Sequence, residues 1–170
     1  MSDSKQSPLL WWVIPGVLAG MPMPFIHVDR RLAGGGELQA CDDELRTLFA
    51  AGVRAVVSLL NIPTDSSVYN SAGFSFLCLP VADGGAPTFE EADAFVRFVR
   101  EQRSVGKPVA VHCEAGLVRT GTMIATYLIS EGESAAAGIA RVRAVEKCAV
   151  ETAQQIQFLE AYDARKVGYR

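Results

Sequence analysis

The 170-residue chain has no stretch approaching the roughly 18 consecutive apolar residues of a membrane-spanning helix. The apolar run Leu9 to Gly20 is too short, is interrupted by Pro15 and has no basic leader, so it reads as strand and turn and not as a signal peptide. Net charge is only −3, which gives no basic surface for general nucleic-acid binding. Cys41, Cys78, Cys113 and Cys148 lack the close pairing of a metal site. Without an export signal, a reduced cytoplasmic setting is expected in place of a disulfide framework. There is no internal repeat and no low-complexity segment. These absences leave a chain with no expected metal, cofactor, membrane or nucleic-acid partner.

What is present is ordinary for a globular domain, with 49% hydrophobic and 21% charged residues. The length suits one core, so residues 1–170 are expected to form a single domain, monomeric, with the polar residues 1–7 frayed. Trp11 to Gly20 reads as two short strands about a Pro15-Gly16 turn. Met21 to Phe25 reads as a loop, and His27 to Gly36 as an ambiguous link with three glycines. Asp42 and Asp43 open a helix ending near Gly52, with Leu45, Leu48 and Phe49 on its apolar face. Arg54 to Leu60 and Phe74 to Leu79 read as strands, with Asn61 to Gly73 as loop between them. Thr88 and Glu91 form a capping box for a helix bearing Ala92, Phe95, Val96, Phe98 and Val99. A strand over 108–112 precedes a helix from about Thr120 to Ser130. Ser134 caps another through about Lys147, with Ile139, Val142 and Val145 inward. Glu151 to Lys166 is the last. Alternating strands and helices imply an α/β fold with a mainly parallel central sheet flanked by helices.

Between the strand and the helix lie His112, Cys113, Glu114, Ala115, Gly116, Leu117, Val118, Arg119, Thr120 and Gly121. A loop there can wrap an oxyanion. The N–H groups of residues 114 to 119 supply donors, and the helix N-terminus adds partial positive charge. Gly116 allows a turn where a Cβ would clash. Arg119 can offer two parallel donors to one phosphate. Cys113, under the helix N-terminus, is placed where a thiolate is favoured, and the Thr120 hydroxyl can donate to it.

This stretch resembles the His-Cys-x5-Arg-Ser/Thr signature of the protein tyrosine phosphatase superfamily. Trp12 to Gly20, Gly52 to Arg54 with Val57 to Leu59, and Gly121 to Met123 with Tyr127 and Leu128 extend the likeness to its small atypical dual-specificity members. The resemblance implies the cysteine-based phosphatase fold and hydrolysis of phosphate monoesters through a phosphocysteine. Cys113 is then the nucleophile, Arg119 binds phosphate, and Glu114, Ala115, Gly116, Leu117 and Val118 line its cradle. Thr120 eases departure of the thiolate.

A leaving alkoxide or phenoxide needs a proton. Asp83, 30 residues before Cys113, lies in Pro80-x-x-Asp83-x-x-Ala86-Pro87, which resembles the general-acid loop of those phosphatases. Its plainer reading is a solvated loop Asp capping a turn. The flanking glycines would let the loop close. His112, facing away from substrate, reads as hydrogen-bonding support for the loop, or equally as a satisfied buried histidine. Glu151-Thr152-x-x-Gln155 also resembles that group. Glu151 is either a second carboxylate for acid or for Arg119, or a favourable charge at a helix N-terminus. Gln155 either orients water or is an exposed helix glutamine, the plainer reading. Cys78 and Cys148 are expected to pack, with rescue of an oxidised Cys113 as the other role.

Two features narrow the substrate. Glu114 puts a negative charge on the rim, and no lysine lies between Cys113 and Arg119, unlike the phosphoinositide phosphatases of the superfamily. The resemblance implies a shallow pocket admitting phosphotyrosine and also phosphoserine or phosphothreonine in a protein or peptide. Competing readings are a non-protein phosphate (nucleotide, RNA 5′ end or inositol phosphate), the sulfur chemistry of a rhodanese or arsenate reductase, and a non-catalytic phospho-binding module.

Overall fold

Short, mostly apolar runs build the sheet. Each strand has four residues, and three of the five are buried throughout, as expected where both faces of a parallel sheet are covered. The computed structural model describes residues 10–24, 35–62 and 65–167. The order is β1 (Trp11–Ile14), β2 (Leu18–Met21), α1 (Gly35–Ala50), β3 (Ala55–Ser58), α2 (Asp65–Ser71), β4 (Ser75–Cys78), α3 (Phe89–Ser104), β5 (Val109–His112), α4 (Val118–Ser130), α5 (Ala135–Val145) and α6 (Ala153–Val167). The sheet runs β1-β2-β5-β3-β4. Four strands are parallel, and only β1 is antiparallel to its neighbour. The sheet is therefore mixed, as a mainly parallel α/β fold allows. The expected fraying of residues 1–7 and most of the link from His27 fall outside the described residues.

Alternation along the strands divides the core. Ala55, Val57, Val109 and Val111 face one layer, with Phe95, Val99, Met123, Ile124, Leu128, Val142 and Leu159 from α3 to α6. Val56 and Ala110 face the other, with Leu45 and Leu48 of α1, Tyr69 of α2 and Phe74. Burying each such large side chain contributes about 1.5–3 kcal/mol. Helix α4 passes through the larger layer and is buried from Arg119 to Ile129. Met21, His112 and Ser58 stand in register across β2, β5 and β3, so the carboxyl ends of these strands form one rim. The functional residues follow from that rim.

Four expectations are corrected. Helix α1 begins at Gly35, not at Asp42. Glu37 to Ala40 are good helix formers that carry it upstream, and the glycines stand at its start, where they cost little. The segment Asp65–Ser71 is helical and not loop, because Tyr69 buries completely and outweighs poor local propensity. Phe49 is 41% exposed, edge-on to Phe74 and covered by the Arg54 guanidinium 3.6 Å from its ring centre. Val145 is exposed at the end of α5, where Val142 alone is fully buried and Ile139 partly so. The caps hold as expected. Thr88 and Glu91 exchange bonds of 3.1 and 2.7 Å, and Ser134 accepts from the Ala137 N–H. No helix among the described residues is long and apolar enough to cross a membrane.

Candidate active site

Strand β5 ends at His112, and Cys113 is the first residue beyond it, 3% exposed. The chain then turns through Gly116 at φ +73° and enters α4 at Val118. A Cβ on Gly116 would lie 2.1 Å from the Met21 carbonyl oxygen at the end of β2, so no other residue fits. The Glu114 carbonyl accepts from the Met23 N–H at 3.0 Å, and the Gly116 carbonyl from the Trp11 indole at 3.1 Å. In a trans peptide the following N–H points the opposite way. The Ala115 and Leu117 N–H groups are thus turned away from β2 and Trp11. Among the described residues, no carbonyl accepts from the N–H groups of Glu114 to Leu117. With the start of α4 behind them, these form a cradle suited to an oxyanion. Glu114 and Ala115 are exposed at its lip, and Leu117 and Val118 are half-buried.

Three side chains complete it. The Thr120 hydroxyl donates to Cys113 Sγ at 3.2 Å, buried inside the first turn of α4. Arg119 is buried and donates from Nη1 to the Val81 carbonyl at 2.9 Å, and its Nη2 lies 3.3 Å from Asp83 Oδ1. His112 faces the other side. Its Nδ1–H donates to the Cys113 carbonyl at 3.1 Å, which leaves Nε2 to accept from the Tyr69 hydroxyl at 3.1 Å. Burial pushes the imidazole down from 6.5 to about 4, against the smaller pull of its bond to the Cys113 carbonyl. A neutral His112 thus ties the peptide of Cys113 to α2.

The Asp83 loop leaves β4 beside this cradle. The Leu79 N–H donates to Ser58 and the Val81 N–H to Leu59, which carries the chain across the rim. The Asp83 side chain is 93% exposed, with one oxygen on Arg119. On its far side the loop meets the start of α6. Thr152 Oγ1 donates to the Gly84 carbonyl at 3.0 Å, and Gln155 Nε2 to the Gly85 carbonyl at 3.1 Å. Gln155 is 0% exposed, which corrects the reading of an exposed helix glutamine. Its Oε1 accepts from the Glu151 and Thr152 N–H groups. Glu151 itself is exposed, and among the described residues no bond joins its carboxylate to Arg119. Its position before α6 is the one expected of a carboxylate at a helix N-terminus. Cys78 and Cys148 are both exposed, not packed as expected. Among the described residues no three His, Cys, Asp or Glu side chains gather as a metal site.

The structure thus brings Cys113, Arg119, Thr120 and Asp83 to one rim, with His112 behind and Gln155 beyond. Trp11 and Tyr69 hold the loop too, but no motif singled them out. An aromatic four residues before Pro15-Gly16 and a lone tyrosine in a polar segment carry no local signal of a contact so far along the chain.

A family model described as "Polymorphic toxin system, DSP-PTPase phosphatase" matches residues 33–133. The chain belongs to that family. This DSP-PTPase chain is 33% identical over 120 residues to the tyrosine-protein phosphatase cdc-14 of Caenorhabditis elegans, over 71% of its own length and 16% of the relative's. It is 34% identical over 150 residues to the dual specificity protein phosphatase CDC14C of Homo sapiens, covering 87% of itself and 32% of that protein. It therefore spans between a sixth and a third of these relatives. Among solved structures, Tk-PTP in its active form superposes with a TM-score of 0.75 at 28% identity, covering 93% of this chain and 98% of that one.

Proposed function

We propose that this chain hydrolyses phosphate monoesters through a phosphocysteine, in the manner of a dual-specificity phosphatase. Its motifs further resemble dual specificity phosphatase 23, the VH1-like member Z. The observation that carries the reading is the Arg119–Asp83 pair at 3.3 Å, which sets an exposed carboxyl group beside the cradle of Cys113.

The Cys113 thiolate attacks phosphorus as the bond to the leaving oxygen breaks. Asp83, as the carboxylic acid, gives its proton to that oxygen. The N–H groups of the cradle and the Arg119 fork take up the charge on the remaining phosphoryl oxygens. In the second step the Asp83 carboxylate removes a proton from water, whose oxygen attacks phosphorus. The sulfur–phosphorus bond breaks, and the Thr120 hydroxyl supports the departing thiolate. His112 orients the Cys113 peptide and takes no proton. No step needs a metal or cofactor.

The substrate we propose is a phosphorylated protein or peptide, dephosphorylated at tyrosine and at serine or threonine, by a monomer of one domain in the cytoplasm. The exposed Glu114 on the lip supports this over polyanionic small molecules, since like charge disfavours them.

The test is hydrolysis of an aryl phosphate across pH, with chelator present. Wild type is expected to turn over and Cys113→Ser to be inert. Asp83→Asn is expected to be slower by roughly 10²–10⁴-fold and to lose the basic limb of its profile. Activity in Cys113→Ser, or loss to chelator, overturns the reading. Unchanged activity in Asp83→Asn moves the acid to Glu151 or points to chemistry that needs no acid, and phosphopeptide binding without turnover points to a binding module. Trapping by Cys113→Ser then separates phosphopeptides from nucleotides and inositol phosphates.

A further inference from the structure

We infer that Thr152 and Gln155 are positioning residues that pin the Asp83 loop over the phosphate cradle, so that it acts as a fixed arm and not as a swinging lid. The inference rests on the role proposed above for Asp83.

The loop is fastened on both flanks of its carboxylate. On the near side the Val81 N–H donates to Leu59 and its carbonyl accepts from Arg119. On the far side Gly84 and Gly85 offer their carbonyls to Thr152 and Gln155. These carbonyls come from the residues that follow Asp83 directly, where side chains are missing and another element can approach the backbone.

The two fasteners are themselves locked. A helix start leaves N–H groups without partners. Gln155 Oε1 accepts from one of them, at Thr152, and from the Glu151 N–H just before it, and commits its Nε2 to the loop. Thr152 Oγ1 accepts from the Gln155 N–H at 3.2 Å, so its single O–H is free to be spent on Gly84. An amide held by backbone groups at both ends is poorly placed to orient water, the role its sequence position first offered.

The turn that delivers them is strained. Val150 is fully buried at φ +59°, a conformation a β-branched residue adopts only when its surroundings impose it. Arg143 imposes it here. Its Nε donates to the Ala149 carbonyl at 3.1 Å and its Nη2 to the Val150 carbonyl. The strain thus sits directly before Glu151 and Thr152, where the chain is aimed at the acid loop. All of these residues lie beyond the 33–133 stretch matched by the family model.

The experiment measures kcat/KM for aryl phosphates of increasing leaving-group basicity, in wild type, Thr152→Val, Thr152→Ser, Gln155→Glu and Asp83→Asn. Thr152→Val removes the donor to Gly84 together with the acceptor of the Gln155 N–H, and Thr152→Ser keeps both. Gln155→Glu keeps an acceptor for the helix N–H groups but sets a carboxylate against the Gly85 carbonyl. Thr152→Val and Gln155→Glu are expected to lose roughly 10- to 100-fold on the most basic leaving group and little on para-nitrophenyl phosphate, as expected when a proton donor is displaced by a fraction of its working distance. Thr152→Ser is expected to restore the wild-type profile. A fall that is equal for every ester, with a lowered melting temperature, overturns the inference in favour of a merely structural role. An unchanged leaving-group dependence with slowed release of phosphate after a burst also overturns it, because Gln155 then serves water. If Asp83→Asn keeps the wild-type leaving-group dependence, the proposed role of Asp83 fails, and the pin fails with it. If Asp83→Asn is impaired but Thr152→Val is not, only the pin fails.

Discussion

Cys113 and Asp83 follow neighbouring edges of the same rim, yet their loops are built by opposite means. The cradle has a buried floor at Cys113, Gly116 and Arg119, and its shape is written into its own backbone: a glycine at φ +73°, a helix start and tethered carbonyls at Glu114 and Gly116. The acid loop is open to solvent, and distant side chains hold it: Arg119 from α4, Thr152 and Gln155 from the start of α6. A nucleophile must approach phosphorus along one line, and a loop shaped by its own backbone fixes that line. An acid must meet leaving groups of different shape, and an exposed carboxylate on a held loop allows it. Arg119 alone belongs to both.

Gly116→Ala breaks the first kind of loop most severely. The added methyl meets the Met21 carbonyl and sits at a positive φ, so a stability loss of about 2–5 kcal/mol is expected. Urea unfolding reads it, and aryl phosphate turnover is expected to vanish with it. Arg119→Lys strikes both loops at once. It keeps the charge but loses the fork, and a fall in kcat/KM on the order of 10²–10³ is expected, with a steeper leaving-group dependence because Val81 is released.

The support behind the cradle is tested by acid. His112 stays neutral in the fold down to about pH 4, whereas an unfolded imidazole takes its proton near 6.5. In that window the unfolded state binds a proton that the fold does not. Stability therefore falls as pH drops from 6.5 towards 4, by on the order of 3 kcal/mol from this group, and no further below. Urea midpoints over this range are expected to show the slope, and His112→Asn to flatten it. The smallest effect is expected of Trp11→Phe, which deletes one bond to Gly116: about 1 kcal/mol in stability and a few-fold in kcat, read by the same two assays.

The same contrast explains what could be read along the chain. The cradle is contiguous, so Cys113, Gly116, Arg119 and Thr120 stand at spacings that betray a strand, a turn and a helix start. The capping box at Thr88 and the buried strands were legible for the same reason. The resemblance singles out Thr152 and Gln155, but what they hold is not legible, because the carbonyls they bind lie about 70 residues earlier. Polar residues at a helix start read as exposed until a partner covers them. Tyr69 is the opposite case. Its segment is rich in serine and asparagine, which favours turns, and only burial against Phe74 and Phe76 makes it helical. Phe49 looked like core by periodicity, but Arg54 covers it from outside.

The indole that reaches Gly116 has an optical consequence. Trp11 lies flat over Gly20, where a Cβ would come within 2.1 Å of its ring, and its N–H is spent on the cradle. Trp12, the other tryptophan in the chain, packs on the opposite layer. One of the two tryptophans is therefore wired to the anion loop and the other is not. An oxyanion that reshapes the cradle is expected to alter the emission of one, while the other reports the fold as an internal reference.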